Sequence, residues 1–418
     1  MGQAWERRRS SWLLPVALAI LAAVLAFGRA EALPSAGVEA TAASLFGDGQ
    51  STTFELTLSD GLTAQVFTLA NPYRVILDLP DITFRLDAAA GRSGKGLVSA
   101  FRYGQFAKDK ARVVLDTVGP VKIASAGMIR VDGGSKVKLT IVMVPMDAAA
   151  FGAGTGAATS AAYDPAGDLA VTQDLEPAKK AHAKPVIVID PGHGGIDPGA
   201  LGSNNVTEKA VVLAVGLKLR DALAKTGLYT VKMTRTDDVF VSLDRRLKFS
   251  AENNADLFIS LHADSIEEKS IADSIRGATI YTLSNEASDE QARIMAEKEN
   301  ASDLIAGLNS VDQTGADEVK NILFDLLKRE TANFSADFSQ VLAKRLGKTI
   351  AMSRIPRRSA AFKVLKQTHA PSVLIELGYM SNQAEEQQMV TADWQSKVAA
   401  SIAVAVETYF GKRTAGQR

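Results

Sequence analysis

The run Val186-Ile187-Val188-Ile189-Asp190-Pro191-Gly192-His193-Gly194-Gly195 decides how the chain is read. A short β-branched stretch stops abruptly in a Pro/Gly turn that carries one of only four histidines in 418 residues. Such a run predicts a buried strand. The turn then displays His193 at the strand's C-terminal end, the edge at which open α/β sheets bind ligands. Its glycines let a ligand or metal come close to the backbone.

Outward from that strand the pattern repeats. Strands are expected at Val186–Asp190, Thr230–Arg235, Leu257–His262, Gly277–Leu283, Phe362–Leu365 and Val373–Glu376. Helices are expected at Glu208–Lys225, Ser242–Asn253, Glu286–Ala306, Val319–Leu327, Phe334–Ile350 and Trp394–Phe410. Their alternation predicts an α/β domain over 185–418: an open, largely parallel sheet flanked by helices. Upstream, Thr53–Leu58, Tyr73–Leu79 and Ala111–Asp116 read as short alternating runs, Val137–Met143 closes the set, and turn residues separate them. Residues 33–146 therefore read as an all-β sandwich. They hold no histidine, and a binding module is the simplest reading. Residues 147–184 are rich in Ala, Gly, Thr, Ser, Asp and Pro and read as a flexible linker that carries His182. Arg7-Arg8-Arg9, an apolar run from Trp12 to Phe27 and Ala30-Glu31-Ala32 form a signal peptide over 1–32 with cleavage near Ala32/Leu33. The alternative is an uncleaved anchor. Both the general and the twin-arginine export routes stay open.

Composition narrows the chemistry. Net charge is zero, so no nucleic-acid partner is expected. With no cysteine, disulfides and thiolate metal sites are excluded, and any metal must use His, Asp or Glu.

Three further residues join His193. Glu208 precedes Val211, Val212, Val215 and Leu219 by three, four, seven and eleven positions, which puts it on the buried face of a helix. A carboxylate there is costly unless paired or metal-bound; the plainer reading is a first-turn acid serving the helix dipole, with Thr207 as cap. His262 ends the run Leu257–Leu261 and is followed by Asp264. Two imidazoles and one carboxylate make a three-ligand catalytic zinc set. Glu376 closes Ser372-Val373-Leu374-Ile375, again at a strand end, where it can act as general base and acid; a satisfied structural carboxylate is the alternative. Arg235 has two readings, a substrate-facing one and a structural ion pair. His369 is read as structural.

Taken in order, Val188 to Gly195, Glu208, Ser260-Leu261-His262-Ala263-Asp264 and Ile375 to Asn382 resemble the zinc-dependent N-acetylmuramoyl-L-alanine amidases. The 33–146 region resembles the AMIN domain that targets such enzymes to peptidoglycan. The resemblance implies one Zn2+ per chain held by His193, Glu208 and His262, with Glu376 as the catalytic base. It implies hydrolysis of the amide between N-acetylmuramic acid and L-alanine of peptidoglycan during septal splitting, in the periplasm of a Gram-negative cell, by a monomer. An insertion at about 284–332 contains Glu297-Lys298-Glu299-Asn300-Ala301-Ser302-Asp303-Leu304-Ile305 and resembles the division amidases' blocking segment. That likeness implies Glu299 as inhibitory zinc ligand, Glu297 as its substitute, and release by a LytM-type activator protein (EnvC/NlpD-like). A solvated helix face is the plainer reading of that charge run. Two other functions fit the residue types: a non-catalytic wall-binding protein and a zinc carboxypeptidase. The latter requires an arginine free to bind a terminal carboxylate.

Overall fold

The structure is a computed structural model that describes residues 37–87, 89–107, 109–131, 135–148, 151, 183–265, 276–308, 322–367 and 370–416. The signal peptide read over 1–32, His182 with nearly all of the linker, and His369 lie outside the described residues.

Nine strands build the N-terminal domain: β1 Glu39–Gly47, β2 Thr52–Leu58, β3 Gln65–Leu69, β4 Arg74–Pro80, β5 Thr83–Phe84, β6 Val98–Ala107, β7 Lys110–Thr117, β8 Val121–Arg130 and β9 Val137–Pro145. They form a five-stranded sheet, β5-β1-β2-β9-β8, and a four-stranded one, β3-β4-β7-β6. Alternate residues of both sheets share one core: Phe54, Leu56 and Leu58 of β2 and Ile141 of β9 meet Val75 and Leu77 of β4 and Val113 and Leu115 of β7. This is a sandwich. In β4 and β7 the intervening Ile76 and Val114 are fully buried too. They face outward from the sandwich and pack on the second domain, with Phe106, Ile196, Phe240 and Ala306.

The second domain comprises β10 Val186–Pro191, α1 Glu208–Lys225, β11 Thr230–Met233, α2 Leu243–Glu252, β12 Leu257–His262, β13 Ala278–Leu283, α3 Glu290–Asn300, α4 Ser302–Ile305, α5 Ile322–Leu346, β14 Met352–Ala360, β15 Ser372–Glu376, α6 Gln383–Met389 and α7 Ala392–Gly416. Its sheet runs β11-β10-β12-β15-β13-β14. Every neighbouring pair is parallel except β13 with β15. Helices cover both faces. Val211, Val215, Phe338, Leu342, Ile402 and Val406 pack on Ile187, Ile189, Ile259 and Ile375 from one side. Leu243, Met295 and Phe362 pack on Val188, Phe258 and Leu374 from the other. Burial on both faces is why these strands read as unbroken apolar runs.

Several expected elements need correction. Phe362–Leu365 is not a strand; Lys363–Leu365 is a 3-10 turn whose Val364 and Leu365 are buried. A short apolar run does not distinguish the two. β14 was not expected, because Pro356 and three arginines break its pattern. It is an edge strand bonded to β13 alone, where Pro and charge are tolerated. The two helices expected across 319–350 are one, α5, and Glu286–Ala306 is two, α3 and α4, beginning at the Asp289 cap. Helix α6 was not expected.

Candidate metal centre

Strands β10, β12 and β15 lie side by side and parallel, so their C-terminal residues fall level. Pro191 pairs with Leu261, and His262 pairs with Glu376. The turn after β10 brings His193 to the same edge with φ 55°, in the left-handed region that side chains seldom adopt. Such a conformation costs on the order of 1–3 kcal/mol and persists where the surroundings enforce it. Here the Asp197 Oδ2 atom lies 2.8 Å from His193 Nδ1 and fixes the ring with Nε2 turned inward.

Glu208 begins α1 and is fully buried. Its carboxylate does not serve its own helix. Oε2 accepts from Ala200 N at 2.8 Å and Oε1 from Ala263 N at 2.7 Å, and Thr207 makes no side-chain capping bond. Oε1 lies 3.2 Å from His193 Nε2 and 3.2 Å from His262 Nδ1. From α3, Glu299 Oε2 lies 3.5 Å and 3.0 Å from the same two nitrogens. Ligand atoms about 2.0–2.1 Å from a tetrahedral zinc sit about 3.3–3.4 Å apart, the spacing seen here. Both ring nitrogens are buried and turned toward these carboxylate oxygens, the surroundings of lone pairs held for a cation. His193, His262 and Glu299 offer one ligand atom each within 4.8 Å of one another.

Electrostatics favour a cation here. Burial alone would keep the imidazoles neutral. The carboxylates of Asp197, Glu208 and Glu299 instead raise His193 well above its ordinary pKa. Glu299 and Glu208 drive His262 to about 10 against the same burial. Two nitrogens and two carboxylate oxygens with no thiolate suit zinc among the common divalent ions.

Glu376 is fully buried beside His262. Oε2 accepts from Asp264 N at 3.0 Å, while Oε1 has no partner among the described residues. Burial pushes its carboxyl well up; the negative groups of Asp264, Glu208 and Glu299 add to this, and His262 opposes it. A carboxyl tuned upward with one free oxygen suits proton transfer near neutral pH.

Helix α3 is capped by Asp289, whose side chain accepts from Ala292 N. It buries Ala292, Met295, Ala296 and Glu299 on one face. Glu297 is on the other, solvent-facing side and pairs with Arg293, away from the ring nitrogens. Beside Glu299, Lys298 forms an ion pair with the buried Asp264, and Asn300 bonds Ala361 O at 2.9 Å and Lys363 N at 2.6 Å. A cleft of about 480 Å³ opens next to the centre, lined by Lys209 and Lys298 and, from β6, by Arg102 and Tyr103.

Arg235 differs from both sequence readings. It is buried and donates to the carbonyls of Pro191, Gly192, Lys209 and Asp237 at 2.8–3.1 Å, without an ion pair among the described contacts. The charged support beneath the centre is Asp190, which was not singled out as a site residue. It accepts from Arg246 Nη1, Thr234 Oγ1 and Ser260 Oγ at 2.6–2.8 Å, and Arg246 also donates to the His193 carbonyl. Arg246→Met leaves that carboxylate buried and unpaired. The expected loss is about 3–5 kcal/mol of unfolding free energy, read from urea denaturation. A loss below about 1 kcal/mol would contradict this role, since surface ion pairs contribute that little. Asp197 was also missed; its only signal was its place four residues after His193 in a Gly-rich turn.

Comparison with known proteins gives two family matches. Residues 187–408 match the N-acetylmuramoyl-L-alanine amidase family, and residues 46–141 match the AMIN domain. The amidase AmiC of Escherichia coli O6:H1 is 31% identical over 366 residues, covering 82% of this chain and 83% of that protein. AmiC of Neisseria meningitidis serogroup B is 30% identical over 382 residues, 88% of this chain and 89% of that one. Among solved structures, AmiC2 of Nostoc punctiforme aligns over 55% of this chain and 99% of its own, with 24% identity and a TM-score of 0.41.

Proposed function

Since the chain belongs to the N-acetylmuramoyl-L-alanine amidase family and is a peptidoglycan amidase, we propose that it works with one zinc ion held by His193, Glu208 and His262 and with Glu376 as general base and acid. The observation that carries the reading is the convergence of two buried ring nitrogens on Glu208 at one sheet edge, with Glu376 Oε1, unbonded among the described residues, one strand away. Zinc, when bound, polarises the scissile carbonyl and lowers the pKa of water to about 7. Glu376 takes the proton of the attacking water and hands it to the departing L-alanine nitrogen. Glu208 is held by two backbone N–H groups and His193 by Asp197, so the ligand geometry exists before substrate arrives. The cleft lined by Lys209, Arg102 and Tyr103 receives the wall polymer.

The same reading makes Glu299 a fourth, inhibitory ligand that occupies the position water needs. Release then belongs to a LytM-type activator that displaces α3 in the periplasm at the division septum. Moving a blocked-to-open ratio from 1:99 to 99:1 requires about 5.5 kcal/mol of differential binding. A signal peptide over 1–32, a linker over 147–184 and action as a monomer complete the proposal. Arg235 and Arg246, the buried arginines beneath the centre, are both committed to internal acceptors, so neither serves the carboxypeptidase alternative.

The test is product analysis of zinc-loaded chain on purified peptidoglycan. Intact stem peptides beginning with L-alanine are expected, against single terminal residues from a carboxypeptidase. Glu299→Ala removes one charged contact to the centre, so release without activator rises about 10–100-fold. Unchanged release from that variant would sink the inhibition and leave the amidase chemistry intact.

A further inference from the structure

The segment that follows Glu299 does not end inside the catalytic domain. Its last carbonyls are gripped by the N-terminal domain. Arg74 of β4 donates to Leu304 O, and Arg112 of β7 donates to Ala306 O at 3.0 Å and Gly307 O at 3.4 Å. Both side chains are almost fully buried, 1% and 2% exposed. Asp78 braces Arg112 from behind through two bonds, at 2.5 and 2.9 Å. The Arg112 guanidinium lies 3.5 Å over the Phe106 ring, and Phe106 stacks on Phe240 of the catalytic domain. Ile76 and Val114 complete the surface against Ala306 and Leu308. Gly307 adopts φ 76°, and a Cβ there would lie 2.7 Å from Ile76 Cδ1.

This surface is hard to explain as part of a self-contained sandwich. A buried guanidinium is costly without acceptors. Half of their hydrogen bonds go to a segment more than 190 residues away in sequence, and the other half to Pro72 and Asp78 of their own domain. That segment includes α4, which starts three residues after the carboxylate at the metal centre.

We propose that the outer face of the AMIN domain, centred on Arg74, Ile76 and Arg112, is a clamp for residues 302–308 and that it holds Glu299 at the catalytic centre. The proposal rests on Glu299 being inhibitory and names what keeps it in place. The block is fastened at both ends. Lys298, Asn300 and Asp303 tie it to the catalytic domain, the last by accepting from Leu243 N at 2.9 Å. The two arginines tie its far end to the AMIN domain. A domain that recognises the wall would then also set how readily the enzyme opens.

The experiment compares full-length zinc-loaded chains on purified peptidoglycan without activator: the parent, Arg74→Ala/Arg112→Ala, Gly307→Val and Glu299→Ala. Gly307→Val perturbs the clamp from the segment side and leaves the AMIN core residues unchanged. Both clamp variants are expected to release stem peptides about tenfold faster than the parent, the scale of one or two charge-assisted hydrogen bonds. Amide exchange at Leu304 to Leu308 should accelerate in parallel. A damaged fold does not yield a gain of activity, so a rise supports the clamp. Parent-level release from both clamp variants, with Glu299→Ala active, overturns the clamp while the inhibition stands. Parent-level release from all three overturns the inhibition and the clamp with it.

Discussion

Glu376→Gln, made in the Glu299→Ala background so that the centre is open, lowers stem-peptide release by about 10²–10⁴-fold, the range of general acid–base contributions. Zinc content is expected to match the parent's, because Glu376 lies outside the proposed ligand set. The substitution is nearly isosteric and keeps the Oε2-side acceptor for Asp264 N. What it removes is the oxygen that has no partner among the described residues, Oε1, and with it the capacity to carry a proton. The readout is kcat on purified peptidoglycan beside metal analysis of the same sample. Loss of both zinc and activity would recast Glu376 as a ligand. Retention of both would assign the proton transfer to another group, and Asp264, whose carboxyl burial raises to about 6, is the next candidate.

Glu208→Ala has the second large effect. It removes the central oxygen between His193 Nε2 and His262 Nδ1 and strands the N–H groups of Ala200 and Ala263. Zinc content falls toward zero and activity with it. At a zinc concentration 1,000 times its dissociation constant, the bound ion stabilises the fold by about 4 kcal/mol. For a domain of this size that corresponds to about 8–16 °C in Tm. Chelation of the parent should produce the same downward shift, and the variant should show no further response to chelator. A variant that still melts higher with zinc than with chelator would show that Glu208 is not needed to hold the ion.

The strand ends were the legible part of this protein. His262 and Glu376 close apolar runs and His193 follows one in a turn, and the alternation of strands and helices from Pro185 puts them at one edge if the strands are parallel neighbours, as β10, β12 and β15 are. Glu208 was ambiguous from sequence because a first-turn glutamate serves a helix dipole as readily as a metal. Only the direction of its carboxylate, toward Ala200 N and Ala263 N, separates the two. The network around Asp190 was out of reach, since its partners Thr234, Arg246 and Ser260 come from three separate elements. The domain contact corrects the alternating reading of Tyr73–Leu79 and Ala111–Asp116, which are buried on both faces. Val75-Ile76-Leu77 and Val113-Val114-Leu115 are apolar on both faces, whereas Thr53 to Leu58 alternates cleanly. A sandwich strand buried on both sides has a neighbour beyond its own core.

Two strands, β13 and β14, run against the other four, and this bears on how α3 can evolve. β13 is antiparallel to β15, with Thr279 level with Glu376, so it starts at the catalytic edge and finishes at the opposite one. The chain must then travel back, and α3 spans about 16 Å in doing so at 1.5 Å per residue. Each residue also turns the helix by about 100°. Measured from the Asp289 cap, the helix therefore works like a key cut to one depth and one angle. A single inserted residue would bring Lys298 to the place of Glu299 and present an ammonium to two imidazoles. On the proposed inhibitory role of Glu299, most changes of length would thus remove the lock, and few could alter it without opening it.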